Sequence, residues 1–156
     1  MKNFNEKKIN TTKIETLGEF GLIEKITKNN KLINPNSTFG VGDDAAVIDV
    51  GDKYQLFSKD LLTEGVHFDL TYMPLKHLGY KAVAVNVSDV CAMNGVAKQM
   101  AVGIAMSNRF TVEAIEELYE GIYLACKNYG VDLVGGDTTS SASGLLISVS
   151  VLGEVE

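Results

Sequence analysis

The segment Ala45-Ala-Val-Ile-Asp-Val-Gly-Asp-Lys-Tyr-Gln-Leu-Phe-Ser-Lys-Asp60 decides how the chain folds. Two apolar runs, 45–50 and 54–60, flank Gly51-Asp52, a dipeptide suited to the tight turn of an antiparallel hairpin. Just before the first run stands the turn Phe39-Gly-Val-Gly-Asp-Asp44. A hairpin folded about Gly51-Asp52 brings Asp43 and Asp44 to the same end as Ser58, Lys59 and Asp60. Acidic groups distant in sequence thereby become neighbours. Gly-Asp-Asp is also ordinary turn chemistry, in which glycine supplies unusual backbone angles and aspartate caps nearby amides, so the pair needs further support before it is read as a site.

Working outward, Leu17, Phe20, Ile23 and Ile26 recur at three-residue steps and predict a short amphipathic helix over 17–29. Residues 1–13 read as a polar arm ahead of a single domain over 14–156. Beyond the hairpin, Pro74 suits a helix start and Asn94-Gly95 a helix stop, which predicts a helix over 75–93. Its second half, Ala82-Val-Ala-Val-Asn-Val-Ser-Asp-Val-Cys-Ala-Met93, is apolar nearly all round and belongs in the interior. Residues 99–106 read as a strand. Thr111 then caps a second helix, with Glu113 in its first turn and Gly130 at its end. A short buried strand over 131–134 leads into Gly135-Gly-Asp-Thr-Thr139, and the alternating run 145–155 reads as a last strand. Hairpins beside helical crossovers predict an α+β domain with a mixed or antiparallel sheet packed with helices.

The 156 residues, 46% hydrophobic and 22% charged, describe one well-buried globular domain rather than a disordered chain. A net charge of −6 argues against a generic nucleic-acid or anionic-membrane surface, which calls for clustered Lys and Arg. An acidic protein that binds phosphates must recruit metal cations or present backbone amides. The polar N-terminus lacks the apolar core of a secretory signal, and the expected location is cytoplasmic. Cys91 and Cys126 lie within apolar helical patterns and read as reduced core residues.

Asp89 carries the most chemical information. A carboxylate within an apolar helix is costly unless it is hydrogen-bonded, paired or bound to metal; Ser88 or Asn86 could satisfy it, and a metal ion is the alternative. Asp137 repeats the theme at a strand end among glycines and hydroxyls. If the strand ends converge, Asp43, Asp44, Asp60, Asp89 and Asp137 surround one site. Two carboxylates about 4 Å apart repel by roughly 4 kcal/mol at an effective dielectric near 20, so such a cluster requires cations. Oxygen donors without a His or Cys cage favour Mg²⁺ or Mn²⁺ over Zn²⁺, and Mg²⁺ held by few carboxylates normally shares substrate phosphates. The pattern points to phosphoryl transfer.

Five ordered motifs, Gly18-Glu-Phe-Gly-Leu-Ile23, Gly42-Asp-Asp-Ala-Ala-Val47, Ser58-Lys-Asp-Leu-Leu-Thr-Glu-Gly-Val-His-Phe68, Tyr80-Lys-Ala-Val-Ala-Val-Asn-Val-Ser-Asp89 and Val134-Gly-Gly-Asp-Thr-Thr139, resemble the thiamine-monophosphate kinase family. That family belongs to the superfamily of aminoimidazole ribonucleotide synthetase, selenophosphate synthetase and a hydrogenase-maturation protein. The resemblance implies ATP-dependent phosphorylation of thiamine monophosphate to thiamine diphosphate, with several Mg²⁺ ions and direct transfer between phosphates. It implies Asp44, Ser58, Asp60, Asp89 and Asp137 as metal ligands, His67 as a contact to thiamine monophosphate, and Tyr119, Gly136 and Asp137 as nucleotide contacts. No residue is implied as a catalytic acid or base. Asp43 is a candidate for ligation, turn capping or support of a ligand. Many family members carry a small hydroxyl residue where Lys59 stands; either the Lys59 carbonyl substitutes for it or its ammonium meets a phosphate. The resemblance further implies a homodimer through this domain and a second, C-terminal domain that this sequence does not include. Competing readings are another ATP-dependent synthetase of the superfamily and a non-catalytic dimerisation or ligand-binding module.

Overall fold

The computed structural model describes residues 11–156; of these, 11–32 belong to one compact unit and 33–156 to another. Most of the expected polar arm lies outside the described residues. In the first unit a short 3₁₀ turn, Ile14–Thr16, leads into α1, Gly18–Thr27, where a longer helix over 17–29 was expected.

The second unit holds one six-stranded sheet and two long helices. Its elements are β1 (Ser37–Phe39), β2 (Ala46–Asp49), β3 (Tyr54–Thr63), α2 (Leu75–Ala92), β4 (Val96–Met106), α3 (Val112–Tyr129), β5 (Asp132–Ser140) and β6 (Leu145–Val155). The strand order is β1-β2-β3-β6-β4-β5. Only the β4–β5 pair is parallel, joined by the α3 crossover, so the sheet is mixed and the α+β expectation holds.

The predicted hairpin forms. Asp49 pairs with Tyr54 and Ala46 with Phe57 across a turn in which Gly51 takes a φ of 105°, a conformation that favours glycine. β3 continues past the expected Asp60 to Thr63 because it pairs along its whole length with β6. Alternation along β3 turns Leu56, Ser58 and Leu62 toward the helices, where they are buried, and leaves Phe57, Lys59 and Leu61 on the opposite, open face. β6 alternates likewise: Ile147, Val149 and Val151 join the core, whereas Ser148 and Ser150 lie on the open face beside Lys59.

One face of the sheet is covered by α2, which packs on β3, β6 and β4, with α3 beside it. The two helices approach through glycine. A Cβ at Gly79 would collide with the Leu118 carbonyl oxygen, and one at Gly121 with the Lys76 carbonyl oxygen. Leu78, Val83, Val90, Leu118 and Ile122 close the core from the helical side. The α3 cap is as predicted: the Thr111 hydroxyl accepts from the Ala114 amide, and Gly130 ends the helix at φ 68°.

Two expectations are corrected. The strand expected over 131–134 runs through Gly135-Gly-Asp-Thr-Thr139 to Ser140, because this segment pairs with β4 as an exposed edge, where Gly136 lets the backbone lie close against Val102. The expected Asn94-Gly95 stop of α2 does form, with Asn94 at φ 58°. Cys126 is buried, but Cys91 is exposed, since the last turn of α2 reaches solvent on that side.

Candidate functional site

The turn at 40–45 is built by local chemistry. Gly42 has a φ of 136°, and the Asp43 carboxylate accepts a hydrogen bond from the Asp44 amide at 3.0 Å. Asp43 thus caps the turn. The following residue, Ala45, is buried and pins the turn against the core.

On the helical face of β3, the buried Ser58 hydroxyl donates to the Asp89 carboxylate at 2.8 Å. Asp89 is half-buried near the end of α2, and its partner is Ser58 rather than either helix neighbour, Ser88 or Asn86. Asn86 is fully buried and donates back to the Ala82 carbonyl at 2.9 Å. Burial pushes the Asp89 carboxyl above its ordinary value; the Ser58 hydrogen bond opposes this, and the charges of Asp60 and Asp44 add to it. Asp44, Asp60 and Asp89, from a turn, a strand and a helix, therefore share one electrostatic environment with the Ser58 hydroxyl between strand and helix. Among the described residues, no three His, Cys, Asp or Glu side chains draw close enough to hold a metal ion by themselves.

Asp137 stands apart from this group. The register runs Asp60 to Val149, Val149 to Val102 and Val102 to Gly136, so Gly136 and its neighbour Asp137 lie three strand spacings from Asp60, roughly 14 Å. The five aspartates form a wall and a separate outpost, not one cluster. Asp137 belongs instead to a pocket of about 470 Å³ with Tyr119, Val102, Leu133 and Gly136. Tyr119, Gly136 and Asp137 are thus brought together at the edge of β5. The close fit is visible at Gly136, where a Cβ would collide with the Val102 carbonyl oxygen. Burial pushes the Tyr119 hydroxyl up, and Tyr123 packs edge-on against its ring at 5.9 Å between centroids.

Lys59 points away from the acidic wall. Its ammonium donates to Ser148 at 2.6 Å and lies 3.5 Å from Ser150, over a cavity of about 400 Å³ that also includes Gly103, Asp137 and Thr139.

His67 sits in the loop after β3. The Thr63 amide donates to its Nδ1 at 3.0 Å, and the Lys81 ammonium donates to its carbonyl at 2.7 Å. Two features escaped the sequence reading. Glu64 accepts from Arg109 and, at 2.9 Å, from the Leu145 amide, tying this loop to the start of β6. An apolar groove of about 620 Å³ runs along α3 between Met106, Phe110, Ile115, Tyr119 and Tyr123.

A thiamine-monophosphate kinase of Bacillus subtilis (strain 168) is 40% identical over 90% of this chain and 43% of its own length. One from Aquifex aeolicus (strain VF5) is 38% identical over 92% of this chain and 44% of its own. The solved structure of AaThiL complexed with AMPPCP and TMP is 37% identical, with a TM-score of 0.82, over 94% of this chain and 45% of that one. The chain spans less than half the length of these relatives. The family model for the N-terminal domain of AIR synthase related proteins matches residues 42–155, from the Gly-Asp-Asp turn to the end of β6. The chain belongs to the AIR synthase related protein N-terminal domain family.

Proposed function

We propose that this chain is the metal- and ATP-binding N-terminal part of an ATP-dependent kinase that phosphorylates thiamine monophosphate to thiamine diphosphate. The observation that carries the reading is the acidic wall, Asp44, Asp60 and Asp89 joined by Ser58, in a fold similar to a structure holding an ATP analogue and TMP.

The wall suits Mg²⁺. Its donors are all hard oxygens, and Asp89 is held toward its protonated form by burial and like charge, a cost that a divalent cation relieves. In this reading Asp44, Ser58, Asp60 and Asp89 hold metal on one side, and Asp137 holds it on the other beside the nucleotide pocket of Tyr119 and Gly136. Mg²⁺ supplies charge neutralisation and alignment of phosphate oxygens.

The residues of the chain then position rather than transfer protons. The acceptor phosphate oxygen of thiamine monophosphate is already anionic and needs no strong base, so orientation and charge compensation carry the catalysis. His67 binds that substrate, Asp43 supports Asp44 by capping its turn, and Lys59 offers its ammonium to a phosphate or its carbonyl to metal. The open sheet face, with Phe57 and Leu61 exposed beside Lys59, supports a homodimer that covers it. No helix among the described residues is long and apolar enough to cross a membrane, in keeping with a proposed cytoplasmic enzyme.

The test is incubation of the full-length protein with ATP, Mg²⁺ and thiamine monophosphate. Thiamine diphosphate and ADP in equal amounts support the reading; well-folded protein that yields neither overturns it.

A further inference from the structure

The loop carrying His67 is exposed at its tip yet tightly held. His67 and Val66 amides both donate to the Thr63 carbonyl, at 2.9 and 3.1 Å, and the Gly65 amide donates to the Phe68 carbonyl at 2.8 Å. Gly65 has a φ of 78°, and Phe68 is buried. Glu64 clamps the loop to Leu145, and Lys81 reaches across from α2 to the His67 carbonyl. An exposed histidine in a solvent loop has no structural need for so many tethers.

One tether decides the chemistry of the ring. A backbone amide can only donate, so the Thr63 amide on Nδ1 requires that nitrogen to present its lone pair. A neutral imidazole with Nδ1 as acceptor carries its proton on Nε2. The ring therefore offers one donor, directed away from its own loop. Lys81 fixes where that donor stands, because the same peptide whose carbonyl it holds carries the ring. Among the described residues the carbonyl of His67 is its one hydrogen-bond partner, so two ammonium protons have no partner there.

The mount is tied to the acidic wall by the same two elements. Ser58, in the middle of β3, meets Asp89 near the end of α2, and the loop after Thr63 meets Lys81 about two turns earlier on the same helix. Lys81 and Asp89 are about 12 Å apart along the helix, at 1.5 Å per residue. A hydrogen-bond donor and a cation are thus mounted on the same strand and helix that build the acidic wall. We propose that His67 is locked as the Nε2–H tautomer to donate to an anionic phosphate oxygen of the acceptor substrate, and that Lys81 is the positioning residue for it. The identity of that acceptor rests on the kinase reading; the tautomer and the role of Lys81 do not.

The experiment uses full-length protein with ¹⁵N-labelled histidine, at about pH 8, above the ordinary histidine range. His67 is assigned by its loss in His67→Asn, a variant that keeps an acceptor for the Thr63 amide but lacks the distal donor. The expected result is a single Nε2–H tautomer in the wild type and a mixture of tautomers in Lys81→Met, with recovery in Lys81→Arg. KM for thiamine monophosphate rises about tenfold or more in Lys81→Met and His67→Asn, the loss expected of one charge-assisted hydrogen bond, while kcat changes less. Lys76→Met, which breaks only the exposed pair with Glu120, leaves both readouts unchanged. An Nδ1–H tautomer or an even mixture in the wild type overturns the proposal, as does a Lys81→Met protein with an unchanged tautomer. Should the wild type prove inactive as a kinase, the function fails separately. The tautomer still decides the inference, with titration of inorganic phosphate as probe: a shift at Nε2 supports it and none overturns it.

Discussion

The Ser58 hydroxyl donates to the Asp89 carboxylate at 2.8 Å, linking the middle of β3 to the end of α2. This bond sets a polar seam into an otherwise apolar interface between strand and helix. Ser58 gives the carboxylate only one donor, and Asp60 and Asp44 add like charge nearby. The seam is stable enough to fold but incompletely compensated, which is the condition a cation site requires.

Asp89→Asn should weaken Mg²⁺-dependent binding of an ATP analogue by about tenfold or more, while Asp49→Asn should change it by less than about twofold. Asp49 lies on the hairpin, and its carboxylate serves only the Gly51 amide at 2.8 Å. Titration calorimetry of both variants distinguishes them. Equal effects would contradict the map.

The pH dependence of stability follows from the direction of the Asp89 shift. Its folded carboxyl lies above the ordinary value of 3.8, so folding gains from this group below that value and loses the gain as pH rises through the folded one. Asp69 acts oppositely: the Thr71 amide lowers its carboxyl, giving a contribution that is present above its ordinary value and lost in acid. In metal-free buffer, the urea midpoint of Asp89→Asn relative to wild type should increase from about pH 3.5 to about pH 7. A constant or shrinking difference would refute this reading of Asp89.

The α2–α3 crossing predicts its own weak points. Gly79→Ala and Gly121→Ala each force a methyl group onto a carbonyl oxygen of the facing helix and should cost about 1–3 kcal/mol or more by overpacking. Denaturant midpoints measure this. Gly130→Ala has open space and pays only for its left-handed backbone, so a larger loss there would contradict the packing account.

A matched pair tests the nucleotide pocket. Gly136→Ala collides with the Val102 carbonyl, whereas a Cβ at Gly135 meets nothing within 4 Å. Gly136→Ala should weaken binding of the ATP analogue by about tenfold, and Gly135→Ala by less than about threefold. The reverse order, measured by calorimetry, would move the pocket elsewhere.

The hairpin, both long helices and the alternating last strand were legible because each rests on local signals: Gly51-Asp52, Thr111, Gly130 and strict period-two burial. The Asp44–Asp60 neighbourhood followed from the hairpin alone. Its Asp89 partner was less accessible, since choosing Ser58 over Ser88 or Asn86 depends on how α2 packs on β3. Asp137 was harder still: β6 and β4 intervene between β3 and β5, and strand order is a property of the whole sheet. The mount of His67 was invisible, because its Lys81 and Glu64 tethers reach partners on other elements.

The most direct test of the central claim follows the phosphoryl group itself. Full-length protein is supplied with γ-³²P-ATP, Mg²⁺ and thiamine monophosphate, and the label is traced. The account predicts label in the terminal phosphate of thiamine diphosphate, dependent on Mg²⁺ and strongly reduced in Asp89→Asn. Label appearing only in inorganic phosphate or on the protein, or transfer unaffected by Asp89→Asn, would contradict it.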